Sequence, residues 1–354
     1  MIRNIISLAL ITGLLILFTG CPYGYKYDEG RFPTDPVNFT AVNSIFDDYN
    51  STSPVIESEF YLYFSSNRNS FGEEFDIVGD HFHLLWDKDE GSLTINNQPS
   101  SWQDYEYTDS LFSRINTGYN EFGPVSVPFY LYSDSGSVIY IDMIAYSNDE
   151  TGNQDLKIAW FFGDGINAPQ GEGVCEGPEP VLFLNSNAND AYLSFYGPAF
   201  LWNEHGVDPS RISELIYCSD RNGNYDIYQT PVPAYSFLLD FLQKDTVVDI
   251  IPVEVLNSAY QDKCPYTSGD LLVFTSDRPG GFGGFDLYFS IRNGSAWSEP
   301  VNFGEKINTE YDEYRPIVLM YYEFVNDLML FSSNRPGGKG GYDLYYVGIS
   351  KMIY

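Results

Sequence analysis

The sequence predicts an all-β fold, a five-bladed β-propeller made of four-stranded antiparallel blades. Three observations lead to this prediction. Two short phrases recur five times along the 354 residues, always in the same order. Tyr (30) and Phe (26) are abundant, and aromatic residues favour pleated, half-buried strands. Each repeat contains four short strand-like runs, and a repeat that cannot bury its own faces is typical of a propeller blade.

The first phrase has the pattern of a hairpin. An apolar run ends in Ser, Asn or Asp, and Arg; a Gly-rich link follows, and an aromatic residue with Asp opens the next strand. The clearest copies occupy residues 272–290 and 328–347, and others lie at 63–78, 145–158 and 216–228. The copy at 145–158 lacks the Arg. We align the five copies on Ser66, Ser147, Ser219, Ser276 and Ser333.

The repeated hairpin residues are interpreted as structural. Ser and Asp side chains accept backbone N–H bonds in turns, and glycines supply positive φ angles. No residue is predicted to be catalytic. The structural set comprises Ser66, Arg68, Asp76, Asp155, Ser219, Arg221, Asp226, Ser276, Arg278, Asp286, Ser333, Arg335 and Asp343.

One of these hairpins also carries side-chain oxygens at alternate positions. Such a run could wrap Ca²⁺, although its Gly is misplaced for an EF-hand. The plain hairpin is therefore preferred, no cofactor is predicted, and a calcium site remains the weaker alternative for Asp220, Asn222, Asn224 and Asp226.

The second phrase places an acidic residue at the start of each blade's first strand, strand a. It reads Ile, Leu or Val, then Asn, then Ser or Thr, and a few residues later an acidic position. We call the propeller end where strand a begins face X, and the opposite end face Y. The five acids should ring the channel mouth at face X, where pairing with the hairpin arginines would relieve their repulsion. They are Asp48, Glu121, Asp190, Asp262 and Glu313.

A spare copy of strand d, the fourth strand, predicts how the ring closes. Blade 5 ends after its third strand, near Val347, whereas "DPVNF" at 35–39 matches "EPVNF" at 299–303. Residues 35–40 should therefore complete blade 5, which removes an exposed sheet edge. The blades are predicted at roughly 42–114, 115–183, 184–255, 256–306, and 307–354 together with 35–40, within a propeller domain of residues 34–354.

Insertions are predicted to gather on face Y, at 79–104, 160–177, 198–213 and 229–249. One-sided insertions usually mark the binding side of a repeat fold. An amphipathic piece at 234–245 either contributes to this surface or packs under the blades. The candidate binding residues on face Y are His81, His83, Trp86, Trp102, Trp202, His205 and Phe241.

The N-terminus resembles a lipoprotein signal. Arg3 precedes an apolar run at 5–18, too short to span a bilayer, and Gly20 stands directly before Cys21. The resemblance implies cleavage after residue 20, lipidation of Cys21 and a polar tether at 21–33. The expected location is the bacterial cell envelope, as an outer-membrane lipoprotein facing the periplasm or the surface. Pairing among Cys175, Cys218 and Cys264 is left open.

The two repeated phrases resemble the TolB-type, WD-like β-propeller repeat family over roughly residues 34 to 350. This resemblance implies a scaffolding or binding role without a catalytic residue in the repeat. The formal charge of −31 excludes a nucleic-acid partner. The sequence therefore predicts a non-enzymatic, lipid-anchored module that binds an envelope protein or a glycan through face Y. The alternative is a glycoside-active enzyme that uses carboxylates at the channel.

Overall fold

A computed structural model describes residues 25–54, 56–97, 106–132, 137–165, 173–197, 208–234 and 237–352. These residues form five antiparallel sheets in chain order, which confirms the five-bladed propeller. Within them, no helix is long and apolar enough to cross a membrane.

The strands follow the predicted order a to d within each blade. Blade 1 contains β2 (Asp48–Thr52), β3 (Glu59–Ser66), β4 (Asp76–Asp87) and β5 (Ser92–Asn97). Blade 2 contains β6 (Glu121–Tyr132), β7 (Val138–Asn148), β8 (Asp155–Asp164) and β9 (Gly173–Pro180). Blade 3 contains β10 (Asp190–Tyr196), β11 (Glu214–Ser219), β12 (Asp226–Pro231) and β13 (Ile251–Pro252).

Blades 4 and 5 complete the ring. Blade 4 contains β14 (Asp262–Ser268), β15 (Leu271–Ser276), β16 (Asp286–Asn293), β17 (Ala296–Trp297) and β18 (Val301–Asn302). Blade 5 contains β19 (Glu313–Leu319), β20 (Asn326–Ser333), β21 (Asp343–Ser350) and the N-terminal β1 (Val37–Asn38). The helices are α1 (Glu106–Ile115) and α2 (Leu238–Leu242), and a 3₁₀ turn covers Pro209–Arg211.

Closure by the N-terminal strand is confirmed. β1 pairs antiparallel with β21, with Val37 opposite Tyr346 and Asn38 opposite Tyr345. The backbone N–H of Phe39 continues the ladder to the carbonyl of Leu344 at 2.8 Å. The edge of blade 5 is thereby paired, and the first and last parts of the propeller are held together.

Each blade is also clamped to the blade before it by an asparagine of the second phrase. In the clearest case, Asn257 Oδ1 accepts the backbone N–H of Ile227 at 2.7 Å, and its Nδ2 donates to the carbonyl of the same residue at 3.0 Å. The same bidentate clamp recurs in every blade. Blade-to-blade docking therefore explains why the asparagine is repeated in the second phrase. The clamping residues are Asn43, Asn116, Asn185, Asn257 and Asn308.

The third residue of every strand a has a left-handed backbone, with φ between 48° and 59°. The pairing of strand a with strand b shifts register at this point in all five blades, as in a β-bulge. The bulge directs these side chains toward the propeller axis, where they contact blades that are not neighbours in the ring. The five bulge residues are Asn50, Gly123, Tyr192, Cys264 and Arg315.

The Gly-rich links have a second purpose beyond positive φ angles. A Cβ on Gly340 would lie 1.8 Å from the carbonyl oxygen of Phe46, and one on Gly341 would lie 2.4 Å from Asp47 Oδ1. These glycines therefore let the next blade's loop approach the link closely.

Two local sequence alignments differ from the structure. In blade 2, Asn148 rather than Ser147 lies opposite the acid Glu121 and pairs with Asp155, so Asn148 occupies the position of Ser66. The predicted insertion at 79–104 is in part regular structure, because β4 extends to Asp87 and β5 forms strand d of blade 1.

The chain that precedes β1 packs against face Y of blades 5 and 1. Phe32 is fully buried and stacks on Phe324 with ring centroids 4.3 Å apart. Asn326 holds both the backbone N–H and the carbonyl of Phe32. Further back, the N–H of Tyr27 donates to the carbonyl of Lys88. The described part of the predicted tether is therefore docked on the propeller.

Candidate functional site

The five acids begin strand a in all five blades, and their side chains are completely buried. In blade 3, Asp190 Oδ1 accepts a 2.6 Å ion-pair contact from Arg221 Nη2, while Oδ2 accepts the backbone N–H and the hydroxyl of Ser186. Arg221 also donates to Ser219 and to the carbonyl of Leu184. Each acid thus joins the b–c link of its own blade to the loop before strand a.

Blades 1, 4 and 5 repeat this arrangement. The contacts Asp48–Arg68, Asp262–Arg278 and Glu313–Arg335 measure 2.6, 2.5 and 2.9 Å. The arrangement agrees with the structural interpretation of the hairpin. Since a carboxylate without exposed surface cannot reach a substrate, these acids are not suited to act on a glycan.

Blade 2 departs from the pattern. Glu150 stands at the arginine position, as its backbone N–H bonds Asn148 in the way that Arg221 bonds Ser219. Glu121 instead accepts bonds from Thr117 and Asn148, both at 2.7 Å. Burial without a cation raises the pKa of Glu121 to about 7.

Side chains from different blades meet at the level of the bulges. Asn50 Nδ2 of blade 1 lies 3.4 Å from the hydroxyl of Tyr192 in blade 3, and the Arg315 guanidinium of blade 5 lies 5.5 Å from the Tyr192 ring. A Cβ on Gly123 would lie 2.4 Å from Tyr192, so this position requires Gly. These contacts narrow the channel below its face X mouth.

Half-buried aromatic side chains surround that mouth. They come from the second residue of strand a and from the residue before strand c, and they contact one another from blade to blade. Ring centroids are 4.8 Å apart for Tyr49 and Phe75, 5.9 Å for Tyr49 and Tyr342, and 5.4 Å for Phe285 and Tyr314. We call this set the aromatic collar: Tyr49, Phe75, Phe122, Tyr225, Phe285, Tyr314 and Tyr342.

The links outside the collar carry further exposed aromatic side chains. Tyr119, Tyr260 and Phe282 are each close to half exposed, and Phe71 is 83% exposed. On the inner side, Lys263 Nζ lies 4.0 Å from the Tyr225 ring centroid. Face X is therefore an aromatic surface with a cation at its centre, although its links are short and regular.

Two carboxylates lie at opposite ends of the collar residue Tyr342. Asp47 Oδ1 accepts the backbone N–H of Tyr342 at 2.8 Å, and Asp312 Oδ2 accepts its hydroxyl at 2.9 Å. Burial and the bond to Asp312 raise the pKa of Tyr342, so the phenol stays protonated and donates. Both carboxylates are half-buried, unlike the five acids beside them.

These two carboxylates differ from the residues at the equivalent positions of the other three blades. The residue before each acid uses a side-chain oxygen to accept the N–H that precedes strand c of the previous blade. Blades 2, 3 and 4 use the amides Asn120, Asn189 and Gln261 for this bond. Because an amide oxygen suffices, the charges of Asp47 and Asp312 are not required by the fold.

The residues predicted for face Y lie in different environments. Trp102, Trp202 and His205 lie outside the described residues. Phe241, which lies in α2, is 3% exposed and packs on Phe183. The amphipathic piece therefore packs under the blades. Trp86 contacts Phe324 and donates its indole N–H to the carbonyl of Tyr27.

The two described histidines on β4 do not form a metal cluster. His81 stacks on Tyr61 with ring centroids 4.6 Å apart and lies 3.9 Å from Glu59, while His83 is half-buried. Across the described part of the chain, no three His, Cys, Asp or Glu side chains are grouped as metal ligands.

The four side chains of the alternative calcium site form hydrogen bonds in and around the hairpin. Asp220 accepts two bonds from Asn189, at 2.7 Å each. Asn222 donates to the hydroxyl of Tyr228, and Asn224 donates to Asp226. Asp220 and Asp226 accept these bonds, whereas Asn222 and Asn224 donate through their amide nitrogens. The described Cys175, Cys218 and Cys264 are free thiols.

No protein-family model matches the chain, and no curated protein matches it. The fold is similar to that of a GH62 hydrolase solved with xylotriose, at 13% identity over 92% of this chain and 99% of that chain, with a TM-score of 0.49. It is also similar to an exo-beta-1,3-galactanase from Clostridium thermocellum (13%, 92% and 63%, TM-score 0.42). An alpha-L-arabinofuranosidase from Lactobacillus brevis gives 8% identity, 88% and 91% coverage, and a TM-score of 0.41. At these values the likeness concerns the fold.

The comparisons correct the family and role predicted from the repeats. The TolB-type, WD-like resemblance is wrong, because no family model matches the chain. The non-enzymatic binding or scaffold role was inferred from that resemblance and is corrected with it. The repeated phrases encode the blade corner and the blade-to-blade clamp, which belong to the fold and do not specify a function.

Proposed function

We propose that this chain is a glycoside-active enzyme that holds its glycan against the aromatic collar on face X. The C–H faces of sugar rings stack on aromatic side chains, and ligand sites combine such apolar walls with a few placed polar groups. The collar offers several half-buried rings around one mouth, together with Lys263 and the two carboxylates beside Tyr342.

The observation that carries this proposal is the pair Asp47 and Asp312. Glycoside hydrolysis requires two carboxyl groups, one that protonates the leaving oxygen and one that activates water or attacks the sugar. Asp47 and Asp312 supply two carboxyl groups at one aromatic ring, at positions where the fold would accept amides. The five buried acids do not compete for this role, since their side chains have no exposed surface.

Asp47→Asn and Asp312→Asn test the proposal. Each variant keeps the oxygen that accepts the neighbouring backbone N–H, so the fold should be preserved. We expect reducing-sugar release from xylo-, arabino- and β-1,3-galacto-oligosaccharides to fall by at least about 100-fold, as expected when a positioned acid or base is lost. The substrates follow the polysaccharide classes named for the similar propellers.

Phe162→Ala on face Y provides the matched control, because Phe162 is a partly exposed aromatic residue far from the collar. It should leave turnover unchanged. Full turnover in both Asp variants, or loss of turnover in Phe162→Ala alone, would count against a face X site. Absence of turnover on every glycan, with tight binding that Tyr342→Ala abolishes, would remove the enzymatic part.

We further propose that the chain is held at a bacterial envelope membrane by lipid on Cys21. Cys21 lies outside the described residues, but the chain from Tyr25 to Pro33 docks on face Y. An anchor that leaves from face Y turns the collar away from the bilayer, toward soluble glycans. Cys21→Ser should move the protein from the membrane to the soluble fraction or leave the signal uncleaved; unchanged membrane retention would contradict the anchor.

A further inference from the structure

The centre of the channel holds a buried positive charge that has no negative partner among the described residues. Arg315 is the bulge residue of blade 5 and has no exposed surface. The other four bulge positions are Asn, Gly, Tyr and Cys, all neutral side chains. Whereas the described hairpin arginines each contact a carboxylate, no described carboxylate forms an ion pair with Arg315.

The contacts that Arg315 does make are weak. Nη1 lies 3.3 Å from the carbonyl oxygen of Pro265, and Nη2 lies 3.4 Å from that of Pro124, both long for N–H···O bonds. Its Nε–H is buried and has no acceptor in the described part of the chain. The Tyr192 and Tyr266 rings lie 5.5 and 6.0 Å away, at the outer limit of cation–π contact.

None of the titratable neighbours can supply the missing charge. Burial raises the pKa of Cys264 to about 11 and raises the pKa values of Cys218, Tyr192 and Tyr266, so all four stay neutral. Burial lowers the pKa of Arg315, but an arginine remains charged in proteins. An uncompensated buried charge is costly, and buried charges are normally paired.

A second orphan donor belongs to Tyr266, on strand a of blade 4, whose ring centroid lies 6.0 Å from the guanidinium. Its hydroxyl is buried and has no hydrogen-bond partner among the described residues. Together, Arg315 Nε–H and Tyr266 O–H offer two hydrogen-bond donors next to a full positive charge. Donors of this kind are satisfied by one small anion.

We propose that Arg315 and Tyr266 bind a small monovalent anion, of halide or formate size, inside the channel. The bulge residues and the collar exclude larger anions. The anion stabilises the ring of blades from within, because Arg315 belongs to blade 5 and its guanidinium reaches the backbone of blades 2 and 4. The site is independent of the glycan proposal.

The first test is thermal unfolding of the full-length chain in sodium chloride, sodium formate and sodium methanesulfonate at equal ionic strength. Binding to the folded state raises Tm with the logarithm of ligand concentration. We expect a rise on the order of 2–4 °C per tenfold chloride or formate, and none beyond ionic strength with the bulkier methanesulfonate. Arg315→Met should lose the difference between anions.

Arg292→Met is the matched control, since Arg292 is also buried, at 8% exposure, but pairs with Glu214 at 2.6 and 2.8 Å. It should lower Tm yet keep the chloride dependence. Equal Tm values in all three anions for the unaltered chain would overturn the proposal. If Arg315→Met does not fold, a crystal grown with bromide decides the matter: anomalous density beside Nε supports the site, and bromide found elsewhere overturns it.

Discussion

Blades 2 and 3 build the same corner with different charges. In blade 3, the buried Asp190 is neutralised by Arg221, and two more bonds come from Ser186. In blade 2, the buried Glu121 has Thr117 and Asn148 as partners, and Glu150 stands where the arginine would be. The corner therefore requires hydrogen bonds to the acid but not a cation, provided that the acid can take up a proton.

The comparison extends to the pKa values of the two glutamates at this corner, Glu121 and Glu313. Burial raises the pKa of Glu121 to about 7. Burial also raises the pKa of Glu313, but Arg335 at 2.9 Å opposes this shift. Four blades thus carry an ion pair at this corner, and blade 2 carries a group that titrates near physiological pH.

The largest expected effect comes from removing the cation in blade 3. Arg221→Met leaves Asp190 buried with its charge unpaired, which typically costs about 3–5 kcal/mol. We expect a loss of that size in the free energy of unfolding, measured by urea denaturation at pH 8. Lys157→Met removes a partly exposed pair with Glu150 and should cost about 0.2–1 kcal/mol. Equal losses in the two variants would show that the corner does not depend on charge pairing.

The next effect concerns the pH dependence of blade 2. A folded-state pKa above the unfolded value means that Glu121 stabilises the fold when protonated, and that this contribution is lost as pH rises from about 4.5 to about 7. Glu121→Gln stays neutral and keeps an oxygen for Thr117 and Asn148. We expect the variant to match the natural chain at pH 4.5 and to exceed it by roughly 2–3 kcal/mol at pH 8.

The control for this profile is Asp190→Asn, at the corner that holds Arg221. It should be less stable than the natural chain at pH 8, because the partly buried Arg221 then lacks its anion. A constant difference between Glu121→Gln and the natural chain from pH 4.5 to 8 would show that Glu121 does not titrate in this range.

The architecture was predictable because its signals are local and repeated. The "DPVNF" and "EPVNF" copies predicted the closing strand, and β1 pairs with β21 as expected. The clamps were visible as the Asn of the second phrase, but their partners were not, since each clamp joins residues at least 21 positions apart. In blade 2, the alignment on Ser147 was wrong by one residue, because Asn148 is the residue that pairs with Glu121.

The candidate site was not predictable in the same way. The collar gathers single residues from separate blades, and each looked like ordinary strand packing within its own repeat. Asp47 and Asp312 were visible as the first member of an acidic pair, but the second member attracted attention because it is acidic in all five repeats. Their half-burial and their shared contact with Tyr342 follow from ring closure, which brings blades 5 and 1 together.

The smallest expected effect comes from restoring the arginine in blade 2. Glu150→Arg places a guanidinium where Arg221 lies in blade 3, on a backbone with the same turn bond. The new cation should lower the pKa of Glu121 and stabilise the chain by about 1 kcal/mol at pH 8, a small net gain for a hydrogen-bonded charge pair. The loss of the Glu150–Lys157 contact, worth about 0.2–1 kcal/mol, limits this gain. Urea denaturation of Glu150→Arg and of the double variant with Glu121→Gln separates the gain from pairing with Glu121 from the loss of the Glu150–Lys157 contact. The gain should vanish in the double variant, because a neutral Gln offers no charge to pair; an equal gain in both backgrounds would mean that residue 150 stabilises the blade without acting on Glu121.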